Sequence, residues 1–236
     1  MKIAIIGYGK MGHEVEKVAL QRGHQIVFTC NHALTDQTKD LNGAEIAIEF
    51  SQPDAAADNL LHCLRLNIPV VCGTTGWYNR LEEVKAMCRD KNGALLYATN
   101  FSIGVNLVFH LNKILARVMN ELDEYNPSLK EIHHVHKKDK PSGTAITIAE
   151  GILNELKRKN RWTIDNNSEE NELFIAVERT DEVPGTHSIT YESDIDSIEL
   201  THVAKNRMGF ALGAVKSAEW LLNKKGVFTI QDYLKF

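Results

Sequence analysis

No apolar run in this chain reaches the ~18 to 20 residues that a membrane-spanning helix needs. No sign of charge dominates either. The 27 Lys and Arg against 31 Asp and Glu leave a net charge of -4, so nothing demands a nucleic acid or an anionic membrane as partner. Cysteine is scarce. Cys30, Cys63, Cys72 and Cys88 all lie in the first half, and none form a C-x-x-C pair. That spacing argues against a metal site, and the thiols read as reduced ones in a cytoplasmic protein. The opening Met1-Lys2-Ile3-Ala4-Ile5-Ile6-Gly7 lacks a signal-peptide cleavage region and reads as a buried first strand. There is no internal repeat and no low-complexity tract. What remains is an ordinary globular composition, 43% hydrophobic and 25% charged, in 236 residues. That length suits one large or two modest domains with real cores.

The first hundred residues alternate between strand-like and helix-like segments. Strands are predicted at 2–6, 25–30, 44–50, 69–72 and 94–98. Helices are predicted at 10–21, 53–66 and 80–89. Short connections between them imply right-handed crossovers and a parallel, doubly wound sheet. The pattern then changes. A helix is expected over 105–122, a strand over 129–136, and a helix over 144–157 with Ser142 near its N-cap. An exposed polar loop over 160–170 comes next. Three strands, 173–178, 187–191 and 197–203, then suggest an antiparallel sheet, and 208–222 a last long helix. The expected class is α/β: a Rossmann-like parallel-sheet domain plus a smaller α+β domain with a mixed or antiparallel sheet. The expected boundaries are 1–102 with 207–236, and 103–206. The returning helix would leave a cleft, where ligands tend to bind.

Gly7-Tyr8-Gly9-Lys10-Met11-Gly12 fits G-x-G-x-x-G between a strand and a helix. Gly7 permits the tight turn, Gly9 a close approach to a pyrophosphate, and Gly12 close helix–strand packing. The helix N-terminus offers N–H groups to the phosphates. A ligand-free glycine turn is the plain alternative. After the second strand, where an acidic residue usually binds the ribose hydroxyls, stand Asn31 and His32. Asn31 can bond a ribose without repelling a 2′-phosphate, and His32 could meet that phosphate. NADPH is therefore expected to serve at least as well as NADH. Gly73-Thr74-Thr75-Gly76 and Thr99-Asn100-Phe101-Ser102 follow later strands, where they are either cofactor contacts or ordinary turns.

The densest chemistry runs from Glu131 to Thr144. His133, His134 and His136 fall within four positions, followed by Lys137, Lys138 and Lys140. On a strand, His134 and His136 would share one face, and His133 the other with Val135 and Lys137. A metal bound by clustered histidines with Glu131 or Asp139 is the first alternative, and a solvated basic loop the second. Pro141-Ser142-Gly143-Thr144 places backbone N–H groups at a helix start beside three lysines, which makes a seat for a carboxylate or phosphate.

These elements, in order, resemble one family: 4-hydroxy-tetrahydrodipicolinate reductases, also called dihydrodipicolinate reductases. The matching segments are Gly7 to Gly12, Glu49-Phe50-Ser51-Gln52-Pro53, Gly73 to Gly76, and Asn100 to Asn106. They continue with His133 to Lys137, Pro141 to Thr144, Pro184-Gly185-Thr186-His187, Ile198 to His202, and Arg207 to Ala214. The pair His-His-x-His-Lys and Pro-Ser-Gly-Thr is specific; the glycine loop alone is not. The resemblance implies a catalytic histidine at His133 and a proton donor at Lys137. It implies substrate contacts at His134, Gly143 and Thr144. It implies cofactor contacts at Gly7 to Gly12, Gly73, Thr74, Thr75 and Thr99 to Ser102; Asn31 is added to the expected cofactor contacts from its place after the second strand, and no metal is expected from the residue spacing. It further implies NADPH or NADH as cofactor and a cyclic dicarboxylate of lysine and diaminopimelate biosynthesis as substrate. A homotetramer built through the second domain's sheet is also implied. The chain is short for that family between Asn31 and Ala44, and Thr99 stands where many relatives have alanine. A different nicotinamide oxidoreductase, or a non-catalytic dinucleotide sensor, are the competing readings.

Overall fold

The computed structural model describes residues 1–35, 37, 38 and 40–236. The chain begins β1 (Lys2–Ile6), α1 (Lys10–Gln21), β2 (Gln25–Cys30), β3 (Ile46–Glu49), α2 (Pro53–Arg65), β4 (Val70–Cys72), α3 (Leu81–Asp90) and β5 (Ala94–Tyr97). It continues α4 (Ile103–Met119), β6 (Asn126–His133), α5 (Gly143–Glu155), β7 (Arg161–Thr163), β8 (Glu172–Arg179), β9 (Gly185–Glu192) and β10 (Ser197–Ala204). It ends with α6 (Met208–Leu221), β11 (Gly226–Thr229) and α7 (Ile230–Leu234). Two compact units result: Met1–Ile103 with Arg207–Phe236, and Gly104–Asn206.

The first unit holds a six-stranded sheet in the order β11-β5-β4-β3-β1-β2, with every pairing parallel. Its strands are apolar at consecutive positions because both faces are covered. Ile3 and Ile5 join Val15 and Val18 of α1, and Ala214, Val215 and Leu221 of α6, in one core layer. Ala4 and Ile6 point the other way, into the layer with Leu60 and Leu64 of α2 and Val84 of α3. Each such buried Ile, Val or Leu side chain contributes about 1.5 to 3 kcal/mol. Helices α2 and α3 both stop at an asparagine in the left-handed region, Asn67 at φ 57° and Asn92 at φ 47°. That conformation ends a helix without requiring glycine.

The last strand and helix of this unit were not anticipated. Gly226–Thr229 carries only four residues, too few for a periodic signal. It becomes a strand because β5 offers it a parallel edge.

The second unit holds a five-stranded sheet, β10-β9-β6-β8-β7. It is mixed, one of the two forms expected: β9 is antiparallel to β6 and β10, while β8 runs parallel to β6. The expected polar loop at 160–170 contains β7, which pairs with β8. Strand β6 is shifted from its expected position. It starts at Asn126 and stops at His133 rather than running to His136. Pro127, which reads as a strand breaker, pairs with Tyr191 before the pairing with β8 begins at Ser128, so its missing N–H interrupts no bond on that side. At the other end, Lys137 N donates to His134 O at 3.1 Å, which closes a turn. Helix α5 packs Ala145, Ile148, Ala149 and Ile152 into a core with Leu129, Leu173 and Ile189 of the sheet.

Candidate active site

In the first unit the glycine loop is shaped by two close approaches. Gly7 lies at φ 89°, and a Cβ there would stand 2.2 Å from Phe50 O. A Cβ on Gly12 would stand 2.5 Å from Gly7 O, so α1 packs against the loop only with glycine at 12. Gly9 differs: nothing lies within 4 Å of an added Cβ. It is exposed and caps α1 with no side-chain bond. The first turn of α1 holds no acidic residue, and its leading N–H groups lack intrahelical partners. The residues present therefore fit a dinucleotide pyrophosphate.

Three further loops belong to this unit. Gly7 N and Tyr8 N both donate to Cys30 O, at 2.8 and 3.0 Å, which holds Asn31 beside the glycine loop. The Tyr8 hydroxyl donates to Glu16. Lys10 is exposed and Met11 half-buried at the start of α1. After β4, Thr74 is buried, and its Oγ1 has no hydrogen-bond partner among the described residues. An orphaned hydroxyl there fits a residue that bonds a cofactor. Gly73 packs against Phe50, and Thr75 is exposed. After β5, Thr99 is exposed, Asn100 Oδ1 accepts from Ser102 N at 2.8 Å, and Phe101 is buried.

In the second unit β6 places Leu129, Glu131 and His133 on its buried face. The strand's period of two makes Glu131 and His133 neighbours. His187 of β9 joins them: His133 Nε2 and His187 Nε2 are 3.3 Å apart, and each is 3.8 Å from Glu131 Oε2. His133 Nδ1 meets Pro184 O at 3.2 Å. Ser142 N donates to both Glu131 oxygens, and Arg179 Nη2 donates to Oε1 at 2.8 Å. Arg179 also donates to Asp139 O at 2.6 Å, tying the 137–141 loop to the sheet.

The electrostatics follow from this packing. Burial raises the Glu131 carboxyl, but bonds from Ser142 and Arg179 outweigh it and hold it below the usual range. Burial lowers the His133 pKa, with Lys137 and Arg179 adding to burial and Glu131 opposing it. Burial and the neighbouring His133 push His187 down to about 4, again against Glu131. Glu131, His133 and His187 are also the one trio among the described residues whose donor atoms could hold a metal ion. Arg179 already neutralises that carboxylate, so the cluster reads better as a hydrogen-bonded network.

Ser142 caps α5: its Oγ accepts from Ala145 N at 3.1 Å. Gly143 and Thr144 begin the helix, whose first turn carries no acidic residue. Gly143 is exposed, and an added Cβ would meet nothing within 4 Å. Their N–H groups are those a helix start leaves without intrahelical partners.

Comparison with known proteins decides the kinship. Residues 1–101 match the family described as dihydrodipicolinate reductase, N-terminus, and residues 104–234 its C-terminus. A 4-hydroxy-tetrahydrodipicolinate reductase of Christiangramia forsetii is 47% identical over 99% of this chain and 98% of its own. The chain belongs to the dihydrodipicolinate reductase family. A second member, from Neisseria meningitidis serogroup B, is 32% identical over 93% of this chain and 83% of its own. The fold matches the dipicolinate-bound dihydrodipicolinate reductase of Paenisporosarcina sp. TG-14, with a TM-score of 0.81 at 19% identity over 99% of both chains.

For this reductase-family chain, the structure groups the sequence-derived residues unevenly. Gly7 to Gly12 and Asn31 are brought together. Gly143 and Thr144 stand at the start of α5. His133 is buried, not at a surface it shares with Lys137, because β6 places it on the core face with Glu131. His134 and His136 share no strand face, since both lie in the turn that follows β6. His134 Nδ1 is buried without a partner among the described residues, while His136 is exposed. Lys137 is half-buried and pairs with Asp139 at 2.9 Å. Glu131, Arg179 and His187 were missed as site residues. The signal for Glu131 was its place two residues before His133, and that for His187 was the Pro184-Gly185-Thr186-His187 segment; Arg179 comes from another strand and carried no local mark.

Proposed function

We propose that this chain reduces 4-hydroxy-tetrahydrodipicolinate to tetrahydrodipicolinate in lysine and diaminopimelate biosynthesis, using NADPH or NADH. The observation that carries it is the α5 N-terminus, where a serine-capped helix free of early acids follows Lys137 within one short segment. Its free N–H groups suit a carboxylate, and that is the chemistry of a cyclic dicarboxylate. The relatives' activity, and the dipicolinate bound to the Paenisporosarcina enzyme, agree with that ligand class.

The glycine loop and the start of α1 would hold the dinucleotide phosphates, Asn31 its ribose, and Thr74 and the 99–102 loop its nicotinamide end. When bound, the reduced nicotinamide supplies the hydride. The chain's own residues do the rest. Gly143 and Thr144 anchor a substrate carboxylate through backbone N–H groups. His134 orients the substrate through its partnerless Nδ1. Lys137, a cation steadied by Asp139, offsets the electron density that builds up on the ring and gives it a proton. Asn31 and His32 place no carboxylate near a 2′-phosphate, which favours NADPH at least as much as NADH. Assembly into a tetramer through the second sheet belongs to the same reading; light scattering of the purified chain tests it.

A coupled assay with freshly made pathway substrate, following nicotinamide oxidation, is the direct test. Turnover with at least one cofactor is expected. Oxidation of neither would overturn the reading.

A further inference from the structure

The buried cluster beneath Lys137 dictates where its protons sit. Pro184 O can only accept, so His133 Nδ1 carries a proton and donates to it. Neutral His133 then has a bare lone pair on Nε2. That atom lies 3.3 Å from His187 Nε2, so the shared proton must come from His187. Ser142 agrees. Its hydroxyl oxygen accepts from Ala145 N at 3.1 Å and has a second lone pair for His187 Nε2–H at 3.2 Å. With both rings neutral, the one His187 Nε2–H is shared between His133 Nε2 and Ser142 Oγ, and this set of tautomers gives each contact a donor and an acceptor.

We infer that His187 and Glu131 are positioning residues that lock His133 as its Nδ1–H tautomer, with Nε2 turned inward as an acceptor. This rests on the function proposed above. Both nitrogens of His133 are engaged inside the protein, so His133 holds the segment that bears Lys137 and does not itself deliver the proton. Glu131 works from the other side. It accepts from Ser142 N and from Arg179, and so joins the first residue before α5 to the same strand that carries His133. Gly185 keeps the arrangement open: at φ 155°, an added Cβ would stand 2.7 Å from His133 Cε1.

The charged and titratable groups around His133 come from four segments. Glu131 lies on its own strand, Arg179 on β8, His187 on β9, and Lys137 on the following turn; His202 of β10 pairs across from His187. Removing the His187 donor exposes the Nε2 lone pair to Glu131 alone, which favours a proton there. Removing the Glu131 charge takes away the larger of the two groups that oppose the depression, the other being the Pro184 carbonyl. The two changes therefore push His133 in opposite directions, which loosened packing alone would not do.

The test uses the full chain labelled with 15N-histidine. Long-range 15N–1H spectra read each ring nitrogen without substrate or cofactor, so the tautomer result does not depend on the proposed activity. The wild type should show a protonated Nδ1 and a bare Nε2 on His133 at pH 7.5. In His187→Leu the His133 titration should move up, and in Glu131→Gln it should move down. With substrate, His187→Leu should lose about tenfold or more in kcat with the cofactor KM within about twofold, and His187→Gln, which retains an N–H donor, should recover most of it. A wild-type His133 protonated on Nε2 overturns the inference. So do titrations that move together in His187→Leu and Glu131→Gln; if His187→Leu fails to fold, His187→Ala, which also lacks the donor, is read in its place. An inactive wild type with the expected tautomers would strike the functional reading alone.

Discussion

A Cβ on Gly213 would stand 1.7 Å from the carbonyl oxygen of Phe101, so α6 reaches the Asn100–Ser102 loop only because residue 213 has no side chain. The contact joins a segment near the end of the chain to one of the loops assigned to the cofactor. Gly213→Ala must push helix and loop apart. The expected cost is about 1 to 3 kcal/mol, seen as a lower melting temperature, together with a raised KM for the nicotinamide cofactor. An unchanged melting temperature and KM would show that the loop tolerates the shift.

Lys137 should carry the chemistry without carrying the cofactor. Lys137→Ala is expected to lower kcat by about 100-fold or more, while cofactor affinity, measured by fluorescence titration, stays within about twofold. Full turnover in this variant would remove Lys137 from its assigned role.

Stability should fall on mild acidification. The His187 pKa is lowered from 6.5 to about 4 in the folded chain, so between those values the unfolded chain binds the proton that the folded one refuses. Stability is therefore greatest above about pH 6.5 and is lost as pH falls, by about 2 kcal/mol at pH 5 from this group. His133, also lowered, acts in the same direction. Glu131, held below its ordinary value, adds its own loss at still lower pH. Denaturant midpoints at pH 7.5 and 5.0 measure the difference; a midpoint that rises on acidification contradicts it.

Cofactor choice should respond to a single position. Asn31 follows Cys30, whose carbonyl accepts from Gly7 and Tyr8, so a carboxylate at 31 would sit where ribose hydroxyls are usually bound. Asn31→Asp is expected to raise the KM for NADPH about tenfold by repelling the 2′-phosphate and to leave or improve that for NADH. Steady-state kinetics with both cofactors decide it; equal effects on the two would refute the assignment.

The pattern of local residues determined much of this protein. Ile3 to Ile6 and Ile46 to Ile48 are apolar at every position, and such runs alternating with amphipathic helices call for a doubly covered parallel sheet. Gly7, Gly9 and Gly12 mark the turn between β1 and α1, and Ser142 marks the start of α5, because caps and tight turns depend on the conformations of adjacent residues. The segment from Glu131 to Thr144 was legible for the same reason. Tertiary structure alone decided which of its side chains meet. The strand's end at His133 turns that residue inward with Glu131, and the mixed pairing of β6 with β8 and β9 brings Arg179 and His187 to it from about fifty residues away. No local spacing records such contacts. They depend on strand order and register, which are set by how the whole sheet buries its apolar faces.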